Sequence, residues 1–155
     1  GQWQEWNFSA SLELDALKAE NHQGVQRFLK DLNKIYSQET ALHDDDFEWT
    51  GFSWIDAKDS DNSVLSFIRK SKKGDDFVVV VSSFTPIVRH NYRVGVPKAG
   101  YYEEILNSDS AYYWGSNVGN AGGIETDSIP FHGYSQSLSL TLPPLATIML
   151  KLISK

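Results

Sequence analysis

The hydrophobic pattern changes period once along the chain. Between residues 24 and 38, Val25, Phe28, Leu29, Leu32, Ile35 and Tyr36 recur at three- and four-residue spacing, which gathers them on one face of an α-helix. Asn21 or His22 stands where a capping side chain is expected, and Asp31 and Lys34 are spaced to pair on the polar face. Leu12, Leu14 and Leu17 predict a shorter helix or turn over residues 11–18. Beyond Leu42 the helical period stops. The acidic stretch HDDDFEWTG places a boundary between Asp44 and Gly51, and the chain downstream of it reads as short strands punctuated by Gly, Asn, Asp and Pro.

Residues 64–70 and 77–84 flank SKKGDD as a hairpin, and the run FVVVV, apolar on both faces, suits a central strand. Residues 92–96, 101–106, 135–142 and 146–153 complete the series. SLSLTL alternates most cleanly, with Leu138, Leu140 and Leu142 expected inward and Ser137, Ser139 and Thr141 outward. Many short strands at this spacing predict a mainly β fold, an antiparallel β-sandwich, preceded by an N-terminal helical segment. Residues 107–133 hold five of the eleven glycines and the adjacent Tyr112, Tyr113 and Trp114. So long a loop in a compact domain is expected to be functional or mobile.

Composition narrows the function classes. The chain has 155 residues, 41% of them hydrophobic, enough for one domain whose folding hides roughly 68–70% of the unfolded chain's surface. A formal net charge of −6 is the wrong sign for a nucleic-acid binder or a protein held on anionic membranes. No apolar run reaches the roughly 18 residues of a membrane span, and the first 30 residues lack the basic start and apolar stretch of a signal peptide. With no cysteine, a disulfide framework and a thiolate metal site are excluded, and the cytoplasm is the expected location.

The chemistry-bearing motifs are weak. Asp44–Asp46, or Asp56 with Asp59 and Asp61, supply carboxylates, but Val64 and Lys70 stand where a calcium loop begun at Asp59 needs glycine and glutamate. Solvated acidic turns are expected instead, and no metal or cofactor is assigned. His22, His43, His90 and His132 lack metal-ligand spacing. GYSQS at 133–137 fails as a nucleophile elbow and reads as a turn into a strand. Glu103 and Glu104, adjacent on a strand, point to opposite faces and cannot pair for glycoside chemistry.

Aromatic side chains carry the stronger signal, because their faces suit pyranose rings and their polar tips suit hydroxyls. Trp3 and Trp6 flanking Glu5 form one cluster, and Tyr112, Tyr113 and Trp114 the other. For each, burial as a core or staple residue competes with exposure for binding.

Taken in order, GQWQEWN, HQGVQRFLKDLNKIY, ALHDDDF, SFTPIVRHNYRVGVPKAGYYEEILNSD, GSNVGN and LSLTLPPLATIMLK resemble the C-terminal portion of bacterial 1,4-α-glucan (glycogen) branching enzymes of the α-amylase superfamily, glycoside hydrolase family 13. The resemblance implies a Greek-key β-sandwich of the α-amylase C-terminal type over residues 49–155. Residues 1–48 would then be the end of a (β/α)₈ barrel, with the 24–38 helix its last helix and GQWQEWN a loop after its eighth strand. It also implies retaining transglycosylation of α-1,4-glucan to form α-1,6 branches, with the catalytic carboxylates on earlier barrel strands. No catalytic residue therefore falls in this chain, and the chain alone is expected to be inactive.

The expected partners are α-glucan and the catalytic barrel, and the candidate glucan contacts are Trp3, Glu5, Trp6, Tyr112, Tyr113 and Trp114. A stand-alone carbohydrate-binding module and a purely structural barrel-packing domain are the alternatives. Two departures matter: SLEL replaces the family's common SLDW, and YWGSN puts Trp114 where YGGSN has glycine.

Overall fold

The computed structural model describes residues 7–153. Helix α1, Glu20–Gln38, starts one turn before the periodic residues. Its N-cap is Ala19, without a side-chain cap bond. Asn21 and His22 lie inside the first turn, and the Asn21 carboxamide accepts the His22 N–H at 2.9 Å. What sets the start is the 3₁₀ turn Leu14–Lys18, to whose Leu17 carbonyl the Gln23 side chain donates at 2.9 Å. This turn fulfils the shorter element expected over 11–18.

Eight strands succeed it: β1 Phe52–Asp56, β2 Val64–Lys70, β3 Phe77–Ser83, β4 Arg89–Val96, β5 Tyr101–Asn107, β6 Gly123–Glu125, β7 Gln136–Leu142 and β8 Thr147–Ile153. They form an antiparallel six-stranded sheet in the order β1-β2-β3-β8-β5-β6 and a two-stranded sheet of β4 and β7. β8 returns to lie between β3 and β5, the long-range return that Greek-key connectivity calls for. Six of the strands coincide with the periodic segments to within three residues. β1 and the three-residue β6 were not expected, and β6 lies inside the long 107–133 stretch, where it pairs with Tyr101–Glu103.

The two sheets face each other across a core. Val64, Ile68, Val79, Val81, Ile148 and Leu150 of the large sheet meet Val94, Val96, Leu138, Leu140 and Leu142 of the small one. Each such side chain contributes about 1.5–3 kcal/mol on full burial. The other face of β3 is covered as well: Val78 and Val80 pack against Ala41 and Leu42, with Ile35 of α1 beside them. FVVVV is apolar on both faces because one faces the small sheet and the other the helical segment. Lys151 of β8 fastens that segment down by pairing with Glu39, just past the end of α1, and with Asp76 at 3.2 Å. Burial opposes the ammonium charge, but the two carboxylates outweigh it and raise the Lys151 pKa.

Ser137 corrects the simple alternation. It lies on the outer face of β7 yet is fully buried, because the chain around 127–131 folds over it: Asp127 bridges to it, and its hydroxyl donates to the Ile129 carbonyl at 2.7 Å. β4 also begins three residues earlier than expected. Its register slips between Arg89 and Tyr92, where Asn91 takes φ +56°, so the period-two signal is broken at that point.

Candidate functional site

The Tyr112–Trp114 cluster is divided by the structure. Ala111–Tyr113 is a single 3₁₀ turn, opened by Ser110, whose hydroxyl accepts the Tyr112 N–H, and closed by Trp114 at φ +72°. Its last residue packs on α1. The Tyr113 ring meets Phe28 edge-on at 5.4 Å and its hydroxyl donates to Asp31 Oδ2 at 2.9 Å. Burial first, and then the Asp31 carboxylate, push the phenol up to about 12. Asp31 thus takes Tyr113 in place of the expected Lys34. Arg27 donates from Nε to the Tyr112 carbonyl at 2.7 Å and lays its guanidinium 5.2 Å from the Tyr112 ring centre, a cation–π geometry.

Gly24 makes this docking possible, since a Cβ there would stand 2.3 Å from the Tyr113 carbonyl oxygen. Tyr113 is therefore a staple between loop and helix. Tyr112 and Trp114, 60% and 61% exposed, keep open faces. Trp114 holds an αL backbone, φ +72°, a conformation that glycine would adopt at no steric cost.

The rest of the long stretch is pinned by its own polar side chains. Asp109 accepts from the Ser116 N–H and hydroxyl and from the Val118 N–H, at 2.9, 2.6 and 3.1 Å. Asn120 exchanges two hydrogen bonds with the Thr141 backbone, at 2.8 and 3.2 Å, joining the loop to β7. A cavity of about 550 Å³ lies alongside, with Glu104, Asn107 and Asn120 in its wall. Those groups satisfy one another, Glu104 accepting from Asn107 at 3.1 Å and from Asn120 at 2.8 Å. GSNVGN is accordingly a structural motif.

A second aromatic surface, which the sequence pattern does not announce, stands on the outer edge of the large sheet. Phe52 and Trp54 alternate onto one face of edge strand β1, and Phe67 lies directly across from Trp54 on β2. The three rings form a cluster: Phe52–Trp54 at 4.9 Å, Phe52–Phe67 at 5.2 Å and Trp54–Phe67 at 5.9 Å. Trp54 remains 53% exposed and Trp49, just before β1, 85%. The entry to β1 is held by Arg69, which donates to the Gly51 carbonyl at 3.2 Å and pairs with Asp46. Hydrogen bonds from Arg69 and then from Tyr36 hold the Asp46 carboxyl below the usual range. A signal does exist in the Phe-Ser-Trp alternation, but the acidic turn before it overshadows it.

That turn is itself not merely solvated. Asp45 is buried and accepts from Thr50 at 2.6 Å, Asp44 accepts the Lys72 N–H at 3.0 Å, and Asp46 has Arg69 and Tyr36. Each aspartate tethers a different element. Trp3, Glu5 and Trp6 lie outside the described residues. Among the described residues, no three His, Asp or Glu side chains are placed to hold a metal, and no helix is long and apolar enough to cross a membrane.

A two-sheet antiparallel sandwich with a helix on its outer face and aromatic side chains on its surface defines a β-sandwich domain. Residues 54–153 match the family described as the α-amylase C-terminal all-β domain, and the chain belongs to that family. Similar proteins include the 1,4-alpha-glucan branching enzyme GlgB of Aquifex aeolicus (strain VF5), 53% identical over 151 residues, which cover 97% of this chain and 24% of that protein. The protein of the same name from Aromatoleum aromaticum (strain DSM 19018 / LMG 30748 / EbN1) is 51% identical over 150 residues, 97% of this chain and 23% of that one. That from Trichodesmium erythraeum (strain IMS101) is 51% identical over 154 residues, 99% and 20%. The chain thus spans about a fifth to a quarter of the length of these relatives.

Proposed function

We propose that this chain is the C-terminal part of a 1,4-α-glucan branching enzyme, supporting the catalytic barrel and contacting α-glucan. The parent forms α-1,6 branches in cytoplasmic glycogen synthesis by retaining transfer, and residues 1–48 and 49–155 are the end of its barrel and its β-sandwich. The names of relatives about half identical to the chain support the parent activity. The chain's own role rests on one observation, the Phe52–Trp54–Phe67 cluster on the sheet edge, where Trp54 meets both phenylalanines edge to face and stays 53% exposed, leaving an indole surface of the kind that contacts a pyranose ring. Trp114 and Tyr112 are secondary contacts.

The barrel-facing role is supported by an apolar groove of about 280 Å³ between the Leu14–Lys18 turn and α1, lined by Leu12, Leu14, Val25 and Leu29. All four residues are more than half exposed, a surface that another part of the protein is suited to cover.

Affinity electrophoresis in a glycogen gel tests the glucan reading. Retardation of the chain, reduced in Trp54→Ala, is expected; migration unaffected by glycogen would leave only the supporting role. An iodine-stained glucan incubated with the chain should keep its spectrum, and measurable branching would overturn the assignment of catalysis to the barrel.

A further inference from the structure

A cleft of about 570 Å³ opens between the β1–β2 connection, the start of β4 and residues 131–132. Its size lies within the roughly 300–1,000 Å³ typical of small-molecule sites. One wall is a fixed polar frame. Asp59 accepts from the Tyr92 hydroxyl at 2.6 Å, from the Asn62 N–H at 3.1 Å and from the Asn62 side chain at 2.9 Å. Burial works to raise its pKa, but these hydrogen bonds outweigh it and keep the carboxylate ionised. Arg89 braces the same loop by donating to the Asn62 carbonyl at 2.7 Å and to the Thr85 hydroxyl at 3.3 Å.

The facing wall is less committed. Asp56 accepts the Lys58 N–H through Oδ1, while its Oδ2 stands 3.5 Å from His132 Nε2, too far for a good hydrogen bond. His132 Nδ1 receives the Gly95 N–H at 3.4 Å, a similarly long contact. Asp56 Oδ2 and His132 Nε2 thus lie side by side in the cleft without a short hydrogen bond between them. The Phe131 ring, 4.3 Å from the imidazole, adds an apolar flank.

The chain bends its backbone to build this wall. His132 adopts φ +50° and Asn91 φ +56°, left-handed conformations that non-glycine residues seldom take and that persist where the surroundings require them. Gly95 lets the wall close in, since a Cβ there would lie 2.1 Å from the Phe131 carbonyl oxygen. The charged groups of the lining are partnered: Arg93 pairs with Asp127 at 2.9 Å, Asp59 is held by Tyr92 and Asn62 beside Arg89, and Asp56 faces His132, so none stands as an uncompensated charge for an ionic ligand. Planar hydrogen-bonding groups of both kinds beside an aromatic flank match a neutral polyhydroxylated ring.

We propose that this cleft binds the terminal glucosyl residues of an α-1,4-glucan, the end residue being the one that can enter a concave site with its hydroxyls free on several sides. The proposal rests on the glucan-contacting reading above. It places a second contact at Asp56, two residues along β1 from Trp54 and past a break in the β1–β2 register.

The test is an NMR titration of the ¹⁵N-labelled chain with maltotriose, which has ends, and with β-cyclodextrin, which has none. Maltotriose should shift the amides of Asp56, Asn62, Asn91 and His132, and cyclodextrin only those around Trp54. His132→Asn, which tolerates the left-handed backbone, and Asp56→Asn should each weaken maltotriose about tenfold, the loss of one good hydrogen bond, while leaving cyclodextrin affinity unchanged. Both variants must retain the dispersed wild-type spectrum, so that weakened binding is not unfolding. Shifts at Trp54 alone with both sugars would overturn the cleft and leave the glucan-contacting reading standing. No shift anywhere would overturn both.

Discussion

Replacing Gly24 with alanine sets two magnitudes of opposite sign against each other. In an exposed helix interior the change stabilises by about 1 kcal/mol, because glycine gives up more conformational freedom. In this fold the new Cβ would lie 2.3 and 2.7 Å from the Tyr113 carbonyl oxygen and carbon and 2.9 Å from the Trp114 Cβ. Two of these neighbours are backbone atoms and cannot rotate aside, so the 111–114 turn must lift from α1.

Lifting it surrenders the Tyr113–Asp31 hydrogen bond, worth about 1.5–3 kcal/mol when one partner is charged, and the Phe28–Tyr113 contact, worth about 0.5–1.5 kcal/mol. Set against the helix gain, Gly24→Ala should destabilise by about 1–3 kcal/mol, within the usual cost of overpacking. Urea unfolding followed by far-UV circular dichroism measures it, and Tyr113→Phe should give a smaller loss by removing the hydroxyl alone. If Gly24→Ala raised stability by about 1 kcal/mol, the docking of the turn on the helix would be refuted.

The remaining expectations concern the core, the loop and alkaline pH. Leu140→Ala, at a position fully buried between the sheets, should cost about 2–5 kcal/mol in the same urea assay; a loss under about 1 kcal/mol would contradict the two-sheet core. Asp109→Ala removes three accepted hydrogen bonds and should make residues 109–123 the first site of limited proteolysis, with an unchanged digestion pattern counting against the pinned loop. Tyr102 is fully buried, donates to the Lys98 carbonyl at 2.9 Å and has its pKa pushed up by burial to about 12. Since the folded pKa lies above the unfolded value of about 10, the stabilisation is complete below about pH 10 and fades as pH rises to about 12. Tyr102→Phe should flatten the fall in stability over that interval, and an unchanged slope would show that Tyr102 does not titrate with unfolding.

The sandwich was legible where one face of a strand is wet and the other dry. SLSLTL sent Leu138, Leu140 and Leu142 to the core, and FVVVV announced a strand covered on both sides. The pattern failed where tertiary structure overrides the local period: at Ser137, roofed by the 127–131 segment, and at the bulged start of β4. β1 was hidden because its exposed Phe52 and Trp54 come after an acidic stretch that reads as a turn.

Nothing local could reveal that Tyr113 meets Asp31 across 82 positions of sequence. Gly24 stood at the first position of the helix expected over 24–38, and only the start at Glu20 places it inside the helix, where a glycine costs stability and points to a packing reason. The three adjacent aspartates show the same limit, since a sequence gives their charge but not which strand or loop each one holds.

The central claim is that the sheet-edge aromatics meet sugar, and a crystal structure of the chain soaked in maltoheptaose tests it directly. A glucosyl ring lying flat on Trp54 beside Phe52 is the expected result. Sugar bound only at other surfaces, or no sugar at saturating concentration while Trp54 is open to solvent, would contradict it.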